Sequence, residues 1–65
     1  MKKRFEGDNF YCEIVYEVEF EQYTVALYRK SDHCLVLEVY CAKEEDATYT
    51  AKRVWTNAET FKAYF

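Results

Sequence analysis

Residues 13–21 alternate between apolar and acidic side chains with a period of two. The apolar set is Ile14, Tyr16, Val18 and Phe20, and the acidic set is Glu13, Glu17, Glu19 and Glu21. Successive side chains of a strand point to opposite faces of a sheet, so this pattern is typical of a strand with one buried face and one solvent face. We predict a first strand over about residues 10–20, after a turn that contains Gly7.

Two further segments alternate in the same way, over about residues 23–30 and 34–42. The apolar faces of paired strands must coincide, which restricts the length of each connection. We predict a two-residue turn at residues 21–22 and a three-residue loop at residues 31–33. The predicted pairs are Val18 with Val25, Val25 with Val39, and Leu27 with Leu37, with Leu35 on the apolar face and Val36 on the other.

The period changes after Lys43. Apolar side chains then recur at steps of four and three: Ala47, Ala51, Val54, Ala58, Phe61 and Phe65. This stripe predicts an amphipathic helix over about residues 44–64, with acidic residues in its first turn. Residues 56–59 match a capping box and offer the start of a second helix, but the stripe passes through them without a phase shift, which favours one helix.

These elements predict an α+β fold in a single domain, 1–65. The architecture is a three-stranded antiparallel meander (β-β-β-α) with one C-terminal helix packed on one face of the sheet. Residues 1–7 are predicted to form a mobile basic arm. The second sheet face stays open to solvent and carries both carboxylates and tyrosines.

The remaining reactive residue types exclude several classes of protein. Three cysteines and one histidine occur without Cys-x-x-Cys spacing, so we predict no metal, no cofactor and reduced, buried thiols. Asp32, His33 and Cys34 are adjacent in the chain, and adjacent side chains on a strand or tight loop diverge. We therefore predict that the protein is not an enzyme.

Hydropathy and charge predict a location and exclude direct binding of nucleic acid. No segment is long and apolar enough to span a bilayer, and no apolar run follows the basic start as a signal peptide requires. Nine basic residues against twelve acidic ones give a net charge of −3, the wrong balance for binding DNA or RNA. We predict a cytoplasmic monomer that does not contact membranes.

The carboxylate row allows two interpretations. A charged open face protects a small sheet from aggregation and keeps the protein soluble. Alternatively, carboxylates at every second strand position lie ~6.7 Å apart, and phosphates along one DNA strand rise ~3.4 Å per step, so the row approaches the charge density of a nucleic acid. Such a face fits a basic groove built for DNA.

In size, acidity and the patterns over residues 12–20, 35–41 and 47–65, the chain resembles the small acidic anti-CRISPR proteins of phages, among them an inhibitor of the type I-C system. The resemblance implies a non-enzymatic inhibitor in the bacterial cytoplasm. It would bind the large, DNA-binding subunit of the type I interference complex (Cascade) and block target DNA as a DNA mimic. The expected partner-binding residues are Glu13, Glu17, Glu19, Glu21, Tyr28, Glu38, Tyr40, Glu44, Glu45 and Asp46.

A second function class remains open. The open sheet face also carries the apolar side chains Val15 and Val36 beside Tyr28. Such a patch is typical of a small structural or assembly domain that binds a protein partner through its sheet.

Overall fold

A computed structural model describes residues 2–61. Within this range the chain forms a four-stranded antiparallel sheet followed by one helix. The elements are β1 (Lys2–Glu6), β2 (Phe10–Glu17), a 3-10 turn (Val18–Phe20), β3 (Gln22–Arg29), β4 (Cys34–Cys41) and α1 (Glu44–Phe61). Each strand pairs with its neighbour in sequence, in the order β1-β2-β3-β4. The α+β class with an antiparallel sheet and a C-terminal helix is confirmed, whereas the prediction of three strands is wrong.

The additional strand is β1, which replaces the predicted basic arm. It pairs with β2, and this register places Phe5 beside Cys12 and Arg4 beside Glu13. Phe5 packs against the buried core from the sheet edge. The strand forms because its one apolar side chain reaches the core, while Lys2 and Arg4 meet Glu13 of β2 and Lys3 meets Glu44 of α1.

The β2–β3 connection is longer than predicted. Strand β2 ends at Glu17, which pairs with Gln22, and Val25 lies beside Ile14 rather than Val18. A two-residue hairpin turn prefers residues that tolerate positive φ, such as Asn and Gly, and Glu21 and Gln22 are neither. The register moves by an even number of positions, so every β2 side chain keeps its predicted face.

The β3–β4 pairing matches the prediction in its centre and departs from it near the loop. Val25 pairs with Val39 and Leu27 with Leu37, as predicted, but the register then shifts and Tyr28 faces Leu35. The irregularity turns Leu35 to the open face, where it is 47% exposed, and brings Val36 against the core. The two predicted positions of Leu35 and Val36 are therefore wrong.

Helix α1 packs on the sheet through alanines. Ala47, Ala51 and Ala58 are fully buried against a core that contains Phe10, Cys12, Ile14, Val25 and Leu27. Small side chains let the helix approach the sheet closely. The helix is continuous through residues 56–59, as favoured above. Phe61 is exposed and does not belong to the buried stripe of the helix. The predicted helix residues 62–64 and the predicted stripe residue Phe65 lie outside the described range.

The three cysteines do not share one environment. Cys12 is buried, Cys41 is half-buried and Cys34 is exposed, and all three are free thiols. The prediction that all three are buried is therefore wrong for Cys34. In the part of the chain that the structure describes, no helix has the length and apolar character needed to cross a bilayer.

Candidate functional site

The open sheet face is less anionic than its sequence pattern suggests, because β1 supplies cations to it. The Glu13 carboxylate lies 3.5 Å from the Lys2 amine and 3.4 Å from the Arg4 guanidinium. Only 15% of the Glu13 side chain is exposed. Arg4 also lies over the ring of Tyr11, with its guanidinium carbon 4.2 Å from the ring centroid. Glu13 is thus an internal partner of β1.

The other carboxylates of this face accept hydrogen bonds from neighbouring hydroxyls. The Thr24 hydroxyl donates to Glu17, and the Tyr40 hydroxyl donates to Glu38 at 2.6 Å. Donation to Glu38, and the negative charge of that carboxylate, raise the pKa of Tyr40. These contacts hold the carboxylates in place but leave Glu38 and Tyr40 exposed.

Tyr28 belongs to an aromatic cluster on the same face. Its ring stacks on Tyr11 with the centroids 5.0 Å apart, and His33 Nδ1 lies 3.0 Å from the Tyr11 hydroxyl. Burial, followed by the charge of Glu13, raises the pKa of Tyr28. The cluster lies on the open face near the β3–β4 loop, and Tyr11 itself is buried.

Glu19 and Glu21 are not part of the strand. Glu19 lies within the 3-10 turn, and Glu21 ends that turn in the left-handed conformation, with φ 49° and ψ 47°. Both side chains are exposed. The predicted row of four glutamates along one strand face is therefore wrong, because β2 ends at Glu17.

The acids of the turn instead share one end of the molecule with those of the helix start. Strand β4 ends at Cys41, which pairs with Tyr23 beside the β2–β3 turn, and the helix begins at Glu44. We call this region the acidic end, defined by Glu17, Glu19, Glu21, Glu44, Glu45 and Asp46. Acidic residues in the first turn also favour the helix through its dipole.

An open groove of about 650 Å³ crosses the acidic end. Its lining combines an aromatic ring, one lysine and two carboxylates: Tyr23, Ala42, Lys43, Glu44, Glu45 and Thr48. Lys3 approaches from β1, with its amine 3.2 Å from the Glu44 carboxylate. Glu44 is therefore partly neutralised, whereas its neighbour Glu45 makes no ion pair with any other of residues 2–61.

The opposite end of the sheet is closed by hydrogen bonds. Glu59 accepts hydrogen bonds from the backbone N–H groups of Asn9 and Phe10. The Lys30 amine donates to the Gly7 carbonyl at 3.0 Å and lies 3.0 Å from the Glu6 carboxylate. The two ends of the sheet therefore differ. Hydrogen bonds and an ion pair connect the residues of this end to one another, whereas the acidic end presents charged side chains to solvent.

Asp32, His33 and Cys34 contact different groups. Asp32 forms an ion pair with Arg29 at 2.7 Å, which lowers the pKa of Asp32, and it also accepts the Cys34 N–H. His33 faces Tyr11, and the Cys34 thiol points to the Leu35 carbonyl at 3.7 Å. These side chains do not converge. Among residues 2–61, no group of three or more His, Cys, Asp or Glu side chains could hold a metal ion.

Two apolar residues that the sequence pattern predicts to be buried lie exposed in the same 3-10 turn as Glu19. Val18 is 76% exposed and Phe20 is 65% exposed, although alternation placed both in the core. The poor turn chemistry of Glu21 and Gln22 was the available signal, because it favours an earlier end of β2.

Comparisons with known proteins found no relative, so a function can be inferred only from the surface described above. No family model matches the chain, and neither curated proteins nor solved structures gave a match.

Proposed function

We propose that this protein is a non-catalytic inhibitor whose acidic end enters a lysine- and arginine-rich groove of a DNA-binding protein and excludes DNA from it. One observation carries the proposal. Glu19, Glu21, Glu45 and Asp46 come from two distant segments, are exposed, and make no ion pair or side-chain hydrogen bond with other residues in the range 2–61. Unneutralised, clustered carboxylates attract a cationic surface and speed its association.

The proposed partner is the large, DNA-binding subunit of a type I interference complex, Cascade, in the cytoplasm of a bacterial host. The resemblance to anti-CRISPR proteins supplies this partner, and the charge of the acidic end is compatible with it. In this proposal the protein acts as a monomer and binds neither DNA nor membranes itself. Glu38 and Tyr40, which are exposed on the adjoining sheet face, extend the contact.

The test is competition with DNA. The purified large subunit of a type I-C complex is bound to a fluorescent DNA duplex, and the protein is titrated in at several salt concentrations. We expect the protein to displace the duplex, to show no affinity for the duplex alone, and to lose potency as salt rises.

Two matched double variants test whether the acidic end is responsible for competition with DNA. Glu19→Gln with Asp46→Asn removes two charges there, and Asp8→Asn with Asp32→Asn removes two exposed charges at the opposite end of the sheet. We expect the first pair to weaken competition at least about tenfold, or about 1.4 kcal/mol, and to flatten its salt dependence. Equal losses in both pairs would contradict a role specific to the acidic end.

A second candidate function is an assembly domain, which the β4 edge favours. Strand β4 (Cys34–Cys41) has eight residues and one charged side chain, Glu38, and it pairs on one side only. In contrast, the other edge strand, β1, carries four charges in five residues. Long, weakly charged edges readily add another strand. A stable dimer in light scattering that Leu35→Lys, a change at an exposed side chain of β4, dissociates would favour this function over the inhibitor.

A further inference from the structure

The β2–β3 turn holds two apolar side chains in solvent at the acidic end. Phe20 lies between Glu19 and Glu21 in sequence, and Val18 precedes them. Both apolar residues are more than half exposed, at 65% and 76%. Exposed aromatic side chains at a loop tip contribute little to folding, whereas aromatic side chains contribute much of the binding energy at protein interfaces.

The turn fixes the position of Phe20. Residues Val18–Phe20 form one 3-10 turn, and the Glu21 N–H donates to the Val18 carbonyl at 3.3 Å. The strand pair Glu17 and Gln22 closes the turn immediately behind it. Phe20 is therefore presented on a closed hairpin turn, so little conformational entropy is lost when a partner takes it up.

Two features of this turn are unfavourable for its local stability. Glu21 has a positive φ of 49°, a conformation that glycine and asparagine adopt more readily. The turn also exposes Phe20 where polar residues are usual. Departures from local rules that coincide in this way are typical of functional sites.

We infer that Phe20, supported by Val18, is the apolar anchor of the interface and enters an apolar pocket with a lysine- and arginine-rich border on a protein partner. This inference rests on the proposed function, because it names the contact that the acidic end makes. Glu19 and Glu21 flank the anchor in sequence and are exposed, so a cationic border of its pocket would be complementary to them. The same carboxylates would repel a second copy of this turn and anionic lipid headgroups.

The experiment compares Phe20→Ala with Tyr49→Ala, since Tyr49 on the helix is an aromatic residue with the same exposed fraction, 65%. Urea denaturation first establishes that both variants fold. Affinity for the large subunit of a type I-C complex is then measured over a range of salt. We expect Phe20→Ala to weaken binding at least about 30-fold, the loss typical of an interface hot spot, and Tyr49→Ala less than about threefold.

Salt dependence separates this inference from the proposed function. We expect Phe20→Ala to leave the salt dependence unchanged, because it removes no charge, whereas the variant Glu19→Gln with Asp46→Asn reduces it. A Phe20→Ala loss no greater than that of Tyr49→Ala, with binding still dependent on the acids, would overturn the anchor and leave the proposed function standing. Loss with Phe20→Ala but not with the acid variant would overturn the proposed function instead. If the wild-type protein does not bind the subunit, both fail.

Two further measurements test the alternatives that this inference excludes, namely that the turn binds a second copy of the chain or a lipid surface. A wild-type dimer that Phe20→Ala converts to a monomer would show that the turn binds another copy. Binding to phosphatidylglycerol vesicles that Phe20→Ala abolishes would show a lipid anchor. Either result would overturn the inference. We expect the wild-type protein and Phe20→Ala both to be monomeric and not to bind the vesicles.

Discussion

The carboxylate of Glu59 accepts hydrogen bonds from both N–H groups of Asn9. The backbone N–H of Asn9 lies 2.9 Å from Oε2, and its side-chain amide lies 3.2 Å from Oε1. Oε2 also accepts the Phe10 N–H at 2.8 Å, and the nearby Trp55 indole donates to the Phe10 carbonyl at 3.3 Å. Residues distant in sequence thereby join the helix to the β1–β2 turn.

Replacing Glu59 should destabilise the protein. Glu59→Ala leaves two backbone N–H groups without their acceptor, and we expect the free energy of unfolding to fall by about 1–3 kcal/mol. Urea denaturation at pH 7 measures the change. Thr60→Ala, at the exposed neighbouring position, should change the stability by less than about 0.5 kcal/mol.

The effect of Glu59 should also depend on pH. Burial alone would raise the pKa of Glu59, but hydrogen bonds from Asn9 and Phe10 and the charge of Lys30 outweigh it, so the pKa is lowered in the folded protein. A lowered pKa stabilises the fold above the unfolded value of about 4.3, and this stabilisation is lost as the pH falls through the folded value. The difference between wild type and Glu59→Ala should therefore shrink under acid. A difference that stays constant down to pH 3 would contradict this account.

Gly7 should be coupled to Glu59. A Cβ atom at Gly7 would overlap a carboxylate oxygen of Glu59 and lie 2.8 Å from its Cδ and 3.0 Å from Trp55 Cζ2. We expect Gly7→Ala to cost about 1–3 kcal/mol in the wild-type protein. In the Glu59→Ala background the obstructing carboxylate is absent, so the cost should fall by at least about 0.5 kcal/mol. Additive costs would show that the overlap is relieved elsewhere.

Local sequence patterns predicted the strands that have strongly apolar faces. Ile14, Val25 and Leu27 lie in the core as predicted. The register error between β2 and β3 did not alter these faces, because the shift was even. Strand β1 could not be predicted in this way, since Phe5 is its only apolar side chain and its partner is β2.

The candidate site was predicted only in part for the same reason. The sequence shows which residues carry carboxylates, but their neutralisation depends on pairing, as Glu13 shows with Lys2 and Arg4. Similarly, apolar alternation continues through Val18 and Phe20, although the chain has already left the sheet. Where a strand ends is decided by the turn that the chain can form, and alternation alone does not contain that information.

Strand β1 should contribute to stability through Phe5, which packs against the core. We expect Phe5→Ala to lower the free energy of unfolding by about 2 kcal/mol, less than for a fully buried phenylalanine. Lys3→Ala, which removes only a surface ion pair with Glu44, should cost less than about 1 kcal/mol. Equal, small effects of both changes would contradict the packing of β1.

The cysteines should differ in reactivity toward a thiol reagent. Burial, reinforced by the charge of Glu13, raises the pKa of Cys12 to about 11, and Cys34 is exposed. Because the thiolate is the reactive form, we expect Cys34 to react first with Ellman's reagent at pH 8 and Cys12 to react only after unfolding. Cys34→Ser should remove the fast phase. Persistence of that phase would show that another cysteine is accessible.

Glu21 should show a conflict between stability and binding. Its left-handed conformation, with φ 49°, is disfavoured for a side chain with Cβ, so Glu21→Gly should relieve strain. Part of this gain is offset by the greater freedom of glycine in the unfolded chain, and we expect a net stabilisation of roughly 0.5–1 kcal/mol. Gln22→Gly, at an extended strand position, should destabilise instead. If Glu21→Gly raises stability in urea and weakens binding to the partner, the carboxylate serves the interface; if it lowers stability, contacts of Glu21 support the turn.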